Sequence, residues 1–404
     1  MVLWNDFIAT HRHRNPPGDN FANSCSLEKR FPAWLAGCLP RQQITPACAS
    51  GCWLDMKIWG LRWRRAPYSD RLQSDSALRK ATRAGARLSL LRRLVKPLMP
   101  QGLMDERQRR TWSRAARVAG LKLVVRDVFF DLERENKVLR IRSSHAFYLP
   151  HMIENFDYYV NSVIPMTVDG RMLVDMSGPR YHRLRGFADI PFLFPSHTEP
   201  YGTTAEYLAF AGLGEGQVVL DIGAYSAVTS IIFAGLVGAS GHVYAFEADR
   251  TNYECALQNV EMARRWMGLA NITLMNKAVW SHAEGLMFSN EGAMGSSAVA
   301  ITGGGRGVET KTPSTTLEGF CQEQGLDRVD FIKVDIEGGE LELLESSVDF
   351  LAGLKTKLIV EPHWVDGSMS TERCIRLLKL AGYTIRVREK MGESEQMIEA
   401  VIKK

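Results

Sequence analysis

Short apolar runs separated by longer helical patterns characterise the second half of the chain. Residues 218–222 are apolar and rich in β-branched residues, and residues 242–246, 329–334 and 357–360 are further short, mostly apolar runs. Runs of this kind are typical of strands that are buried on both faces of a parallel sheet. The regular alternation of strand and helix predicts an α/β fold over residues 201–404, with a doubly wound, mostly parallel, Rossmann-like sheet.

The first half of the chain has two different patterns. Residues 121–200 contain short strand-like runs with intervening turns, which predict a small β-rich accessory region packed against or over the edge of the sheet. Residues 1–120 have no sustained period at their start and one helical pattern at residues 76–98. We therefore expect residues 1–120 to be an arm that is partly disordered and partly helical.

The charge of the chain is concentrated in this arm. The 404 residues have a formal net charge of +5, but residues 1–117 hold 22 Lys and Arg against 8 Asp and Glu. Such a segment can contact nucleic acid or an anionic membrane surface, and docking on the acidic remainder of the chain is the simpler interpretation. The longest apolar run near the predicted sheet edge, residues 231–239, is too short to span a bilayer. With no apolar core typical of a secretory signal, a cytoplasmic location is expected.

Polar residues follow the first two predicted strands of the sheet. Asp221 ends the first strand, and Gly223 then allows a tight turn in which the backbone can approach a ligand closely. Glu247 ends the second strand, where its carboxylate can accept hydrogen bonds from both hydroxyls of a ribose. No Lys-Ser/Thr phosphate loop accompanies this pattern. The order of strand, turn, helix, strand and acid points to a site for S-adenosylmethionine.

A third motif indicates a family. Residues 333–340, Lys-Val-Asp-Ile-Glu-Gly-Gly-Glu, are followed by Lys-Leu-Ile-Val-Glu-Pro-His at residues 357–363. With the two earlier strand ends, they resemble the FkbM family of class I S-adenosylmethionine-dependent methyltransferases over about residues 200–390. Three positions depart from the family pattern: Ala227 replaces a usual glycine, Ala248 a usual proline and Glu318 a usual aspartate. The methyl group of Ala227 is expected to crowd the cofactor or to force a backbone φ that alanine disfavours.

The resemblance implies that S-adenosyl-L-methionine is the cofactor and that the sheet is a methyltransferase sheet. It also implies transfer of a methyl group to a hydroxyl of a sugar or of a glycosylated small molecule. The residues that it places around the cofactor lie at the carboxyl ends of the strands and in the segment before the first strand. They are Tyr201, Asp221, Gly223, Ala224, Tyr225, Glu247, Ala248, Ala278 and Asp335.

Methyl transfer to an alcohol needs a group that handles the hydroxyl proton, because an alcohol does not ionise by itself near neutral pH. His363 is the predicted general base, since its unperturbed pKa lies near neutrality, and Asp335 and Glu361 are predicted beside it. Lys333 shares a strand face with Asp335 and can pair with Glu337 or Glu361. Asp335, Glu361 and His363 can alternatively bind a divalent cation, although their spacing is not a metal motif and no metal site is predicted from it.

Two other functions are compatible with the sequence. An RNA 2′-O-methyltransferase would use the basic arm for phosphate binding and Lys333 with Asp335 near the ribose, but the predicted catalytic half is acidic. A non-catalytic scaffold would follow if Ala227 weakens cofactor binding. Methylation of a small acceptor is the interpretation that we favour.

Overall fold

The accessory region precedes the main sheet and is built largely from short strands. The computed structural model describes residues 106–185, 190–198, 201–305, 307–389 and 396–402, so most of the predicted arm, including the helical pattern at residues 76–98, lies outside the described residues. The described end of the arm forms α1 (Glu106–Val118). The elements of the accessory region are β1 (Lys122–Val125), β2 (Phe129–Arg134), β3 (Lys137–Arg142), a 3₁₀ helix (Ser143–Tyr148), α2 (Leu149–Glu154), α3 (Phe156–Ser162), β4 (Met166–Val168), β5 (Arg171–Met176), β6 (Arg180–Arg183) and β7 (Pro191–Phe194).

Five of these strands form one sheet, in the order β1-β2-β3-β5-β4, and β6 pairs with β7. Within the sheet, β3 and β5 are parallel and the other neighbours are antiparallel. The predicted β-rich accessory region is therefore confirmed.

A seven-stranded sheet forms the centre of residues 201–402, in the order β10-β9-β8-β16-β17-β21-β20. The first five strands are parallel, and β21 runs antiparallel to both of its neighbours. The doubly wound, mostly parallel sheet predicted from the sequence is confirmed. The strands are β8 (Val218–Ile222), β9 (His242–Phe246), β10 (Ile272–Met275), β16 (Phe331–Val334), β17 (Lys357–Val360), β20 (Thr384–Glu389) and β21 (Gln396–Val401).

Helices and small strand pairs complete this part of the chain. The helices are α4 (Tyr201–Ala211), α5 (Val228–Val237), α6 (Arg250–Met267), α7 (Val299–Thr302), α8 (Leu317–Glu323), α9 (Glu340–Leu354) and α10 (Thr371–Leu380). The small strands are β11 (Ala278–Val279), β12 (Leu286–Asn290), β13 (Ser297–Ala298), β14 (Val308–Thr312), β15 (Ser314–Thr315), β18 (Trp364–Val365) and β19 (Ser368–Met369). In the part of the chain that the structure describes, no helix combines the length and apolar character needed to cross a bilayer.

Both faces of the central sheet are buried, which is why its strands are almost wholly apolar. Leu220 and Ile332 pack on one face against α9 and α10, whereas Val219 and Phe331 pack on the other face against α4 and α5. Because apolar side chains occupy both faces, the polar residues of these strands concentrate where the strands end. The carboxyl ends of β8, β9, β16 and β17 therefore form a polar edge.

The accessory region shares one hydrophobic cluster with α5 and α6, two helices that flank the central sheet. Side chains from β2, β3, α3 and β7 belong to the same buried cluster as side chains from α5 and α6. The cluster includes Leu132, Leu139, Phe156, Phe192, Phe194, Val228, Ile231, Ile232 and Ala263. The accessory region is thus fixed on the sheet by apolar packing.

Candidate active site

The turn after β8 brings the backbone into close contact with the ends of β9 and β16. Gly223 has a φ of +88°, and a Cβ atom built on it would lie 1.8 Å from the carbonyl oxygen of Asp335. The amide nitrogens of Gly223 and Ala224 donate to the carbonyl oxygen of Phe246, at 3.0 and 2.8 Å. Only glycine combines this φ with this close approach, so the residue is required by the crossing of the backbones.

Asp221 lies beneath this turn and is fully buried. The hydroxyl of Ser230 donates to its Oδ2 at 2.5 Å, and Lys333 Nζ lies 3.4 Å from its Oδ1. Burial raises the pKa of Asp221, and Lys333 and Ser230 oppose that shift. Asp221 does not line the cavity described below. Its contacts therefore make it an anchor for α5 and Lys333, beneath the residues that can touch a cofactor.

Glu247 ends β9 and holds the backbone on both sides of the site. Its Oε2 accepts from the amide of Tyr225 and its Oε1 from the amide of Asp249, each at 2.7 Å. Burial, assisted by the charge of Asp249, raises the pKa of Glu247 to about 8, although both backbone donors favour the charged form. Each carboxylate oxygen keeps a second lone pair. Glu247 also lines the cavity, so those lone pairs are available for a ligand.

Ala227, which stands where the family pattern has glycine, adopts a backbone φ that alanine disfavours, as expected. Its φ is +60°, in the left-handed region, and it precedes α5 as the N-cap residue. Ala227 is fully buried and, like Ala224, is not part of the cavity wall. The strained φ is confirmed, whereas the methyl group does not face the cavity. Of the other predicted cofactor residues, Ala248 and Ala278 line the cavity, and the Tyr201 side chain lies outside the described residues.

Asp335 and Glu361 meet at the edge formed by β16 and β17. The Tyr207 hydroxyl donates to Asp335 Oδ2 at 3.3 Å and also donates to Glu361 Oε1. Lys333 Nζ lies 3.4 Å from Asp335 Oδ2 and donates to the carbonyl oxygen of Gly223 at 2.5 Å. Glu361 and Lys333 are both buried. The ammonium of Lys333 therefore forms ion pairs with Asp221 and Asp335, whereas the sequence predicted Glu337 or Glu361 as its partner.

His363 stands among carboxylates on the same edge. Its Nδ1 lies 2.8 Å from Glu340 Oε1, and its Nε2 lies 3.6 Å from Asp335 Oδ1 and 3.7 Å from Glu337 Oε1. Burial lowers the pKa of His363, but Glu337, Glu340 and Asp335 together raise it well above its ordinary value. The pKa thus departs from the near-neutral value on which the prediction of a general base depended, because three carboxylates favour the imidazolium.

One cavity of about 360 Å³ joins these groups. Its wall contains residues predicted for the cofactor together with Asp335, Glu361 and His363. The accessory region supplies a further part of the wall, consisting of Phe147, Tyr148, His151 and Tyr159. The volume lies in the range of small-molecule sites. The residues predicted for the cofactor and those predicted for the acceptor therefore line the same cavity.

Sequence reasoning missed three parts of this site. Tyr207 lies in the helix before β8, and nothing in the local sequence marks it as a partner of the two acids. Glu340 belongs to the family-like motif, and only the fold shows that its carboxylate holds His363. The contribution of Phe147 and Tyr148 depends on how the accessory region packs, which local patterns do not specify.

The sheet order, the glycine turn after β8 and the acid at the end of β9 define a class I S-adenosylmethionine-dependent methyltransferase. Residues 221–385 match the model of the methyltransferase FkbM domain, the family that the sequence motifs indicated. Its cofactor is S-adenosyl-L-methionine. The residues present fit that group, because Glu247 presents a buried carboxylate to a cavity of suitable size.

Several solved structures are similar to part of the chain. A SAM-dependent methyltransferase from Aquifex aeolicus is 21% identical, with 49% of this chain and 89% of that chain covered and a TM-score of 0.30. The methyltransferase FkbM from Methylobacillus flagellatus KT is 17% identical, with 48% and 50% covered and a TM-score of 0.34. Aeropyrum pernix fibrillarin, with natively bound S-adenosyl-L-methionine, is 14% identical, with 70% and 100% covered and a TM-score of 0.33. No curated protein matches the chain.

Proposed function

We propose that this methyltransferase methylates a hydroxyl oxygen of a small, carbohydrate-containing acceptor. The observation that carries the proposal is the single cavity whose wall includes both Glu247 and the group of Asp335, Glu361 and His363. Methyl transfer requires donor and acceptor to be aligned in one site. A cavity with a cofactor acid at one end and hydroxyl-binding groups at the other meets that requirement.

The cofactor end of the proposed site consists of Gly223, Tyr225, Glu247, Ala248 and Ala278, all of which line the cavity. Glu247 is proposed to accept the ribose hydroxyls through its free lone pairs, while its two backbone bonds keep the carboxylate in place. When bound, S-adenosylmethionine supplies an electrophilic methyl group on a sulfonium. Asp221 supports the arrangement from below through Ser230 and Lys333.

The acceptor end combines carboxylates with aromatic rings. Asp335 and Glu361 can accept hydrogen bonds from hydroxyls, and His363 is held near them by Glu340. Phe147 and Tyr148 form a tilted aromatic pair, with ring centroids 3.8 Å apart, in the part of the wall that the accessory region supplies. A sugar offers hydroxyls to the acids and an apolar C–H face to the rings. This complementarity supports a carbohydrate-containing acceptor.

The proposal is tested by the chemistry of the methylated product. The purified full chain is incubated with S-adenosylmethionine labelled in the methyl group and with separate sets of glycosides, catechols, amines and RNA oligonucleotides. We expect label in glycosides, in a linkage that resists mild alkali, as an ether does and an ester does not. Label confined to RNA would favour the 2′-O-methyltransferase alternative. Label confined to amines, or no transfer to any acceptor by a chain that binds the cofactor, would contradict the proposal.

Replacing Glu247 with alanine is expected to weaken cofactor affinity by about 30- to 150-fold, which corresponds to the roughly 2–3 kcal/mol typical of a charged hydrogen-bonding partner. Thermal stability should also fall, because the amides of Tyr225 and Asp249 lose their acceptor. Isothermal titration with S-adenosylhomocysteine measures the affinity, and circular dichroism establishes that the variant is folded. Glu254→Ala, on the exposed side of α6, is the control and should bind normally. A folded Glu247→Ala variant with unchanged affinity would exclude Glu247 from the cofactor site.

A further inference from the structure

We propose that Asp335, Glu361 and His363 bind a divalent cation of the Mg²⁺ or Mn²⁺ class, which holds the acceptor hydroxyl. Each residue offers one ligand atom, and these atoms all lie within 4.8 Å of one another. All three side chains line the cavity of the proposed site. The role of the ion in methyl transfer rests on the proposed function, whereas the binding of the ion can be measured without donor or acceptor.

The spacing around His363 Nε2 fits a shared ion better than a direct contact. The distance from Nε2 to Asp335 Oδ1, 3.6 Å, exceeds the roughly 2.7–3.2 Å of an N–H···O hydrogen bond. Ligand atoms that bind one ion at about 2.1 Å are separated from one another by about 3–4 Å. The gap between the ring nitrogen and the carboxylate oxygens is therefore of the size that a cation would fill.

Glu340 provides an independent reason to expect a ligand at Nε2. It is fully buried, and its Oε1 lies 2.8 Å from His363 Nδ1 and accepts from the amides of Ile336 and Gly338, each at 3.2 Å. Three bonds to one oxygen fix the carboxylate and, through it, the imidazole ring. Metal-binding histidines characteristically donate their second nitrogen to such a carboxylate. The ring is thereby held with Nε2 facing Asp335 and Glu337.

The local charge also favours a cation. Four carboxylates lie at this edge, those of Asp335, Glu337, Glu340 and Glu361. The ammonium of Lys333, on β16, lies 3.4 Å from Asp335 Oδ2. Several carboxylates in a largely buried site repel one another unless positive charge compensates them. An ion at Nε2 would replace the proton that the carboxylates favour there. Two carboxylates and one imidazole form a mainly oxygen donor set, which suits Mg²⁺ or Mn²⁺ better than softer metals.

The ion would assist transfer by lowering the pKa of the hydroxyl that it binds. The acceptor oxygen forms a bond to the methyl carbon as the bond between that carbon and sulfur breaks. The electron pair of the broken bond remains on sulfur, which leaves S-adenosylhomocysteine neutral at that atom. The hydroxyl proton passes to Glu337, whose side chain is 31% exposed and can release it to solvent.

The test measures Mn²⁺ binding to the metal-free full chain by electron paramagnetic resonance, in which bound Mn²⁺ loses the sharp signal of the free ion. We expect one ion per chain, and at least a tenfold weaker affinity in Asp335→Asn. Asp366→Asn makes the same chemical change on a side chain that is 86% exposed and should bind as the unaltered chain does. His363→Gln is the second variant, in case Asp335→Asn does not fold, and should show the same loss.

Binding too weak to detect at 1 mM Mn²⁺, as an estimate for a physiological divalent site, would overturn the proposal. Equal affinity in the unaltered chain, a folded Asp335→Asn and His363→Gln would also overturn it, because the ion would then bind elsewhere. Failure of the methyl-transfer assay in a chain that binds Mn²⁺ at Asp335 would contradict the proposed function alone. Full transfer in the presence of a chelator that has removed the ion would contradict the ion's role in transfer.

Discussion

Replacing His363 with alanine is expected to reduce turnover by about 10²- to 10⁴-fold, the range typical of groups that handle a proton or hold a reacting hydroxyl. The side chain faces the cavity beside Asp335 and Glu361 and is held by Glu340. Cofactor affinity should stay within about twofold, because Gly223 and Glu247 keep their own contacts. Initial rates on the acceptor found in the labelling assay give kcat and KM, and calorimetry gives the cofactor affinity.

The matched control for this variant is His282→Ala, since His282 pairs with Glu284 at the surface and its side chain is 42% exposed. Its rates should equal those of the unaltered chain. Removing His363 also leaves buried Glu340 with only its two backbone donors, so the folded fraction of the variant must be measured by circular dichroism before rates are compared. Parallel losses of cofactor affinity and turnover would show that His363 supports the fold of the site and does not act on the acceptor.

Replacing Gly223 with alanine is expected to lower the free energy of unfolding by about 3 kcal/mol or more, since it adds overpacking to an unfavourable backbone conformation. The added Cβ would lie 1.8 Å from a backbone carbonyl oxygen, so β8 or β16 would have to move. Cofactor affinity should fall together with stability, because the displaced turn also carries the amide that Glu247 accepts from. Urea unfolding and calorimetric titration measure the two effects.

Gly268 offers a matched comparison within the same chain. Its φ of +71° is also positive, but a Cβ built there has no atom within 4 Å. Gly268→Ala should therefore lose only about 1 kcal/mol, the conformational part of the effect, and keep full cofactor affinity. Equal destabilisation by Gly223→Ala and Gly268→Ala would mean that the turn after β8 adapts to a side chain, and that the close backbone contact at Gly223 does not exclude one.

The sequence predicted the central sheet well because its signals are local. The strands β8, β9, β16 and β17 are short and mostly apolar; an acid follows β9, β16 and β17, and Asp221 lies near the end of β8. Parallel strands in such a sheet all present their carboxyl ends to that edge. The proximity of Asp335, Glu361 and His363 followed from this rule alone and is confirmed by the grouping of their ligand atoms.

The details of the site depended on contacts between residues that are distant in the sequence. Tyr207 donates to Glu361 across 154 positions, and Lys333 reaches the carbonyl of Gly223 across 110. The hydrophobic periodicity of a short segment carries no information about such distant pairs. The pKa of His363 likewise depends on carboxylates from β16 and α9, so its unperturbed value was a poor guide. Asp221 was placed at the correct strand end, and only the packing shows that it lies beneath the cavity.

The buried cluster that joins the accessory region to α5 and α6 includes residues that precede the start of the family match. The family match begins at residue 221, yet Val228, Ile231 and Ile232 on α5 are covered by side chains from residues 130–194. A fragment cut at the start of the match would leave an apolar helix face in water. The range that the family model matches is thus shorter than the range whose side chains bury this helix face. Changes in the accessory layer can reshape the acceptor wall, but only within limits set by the core that the two layers share.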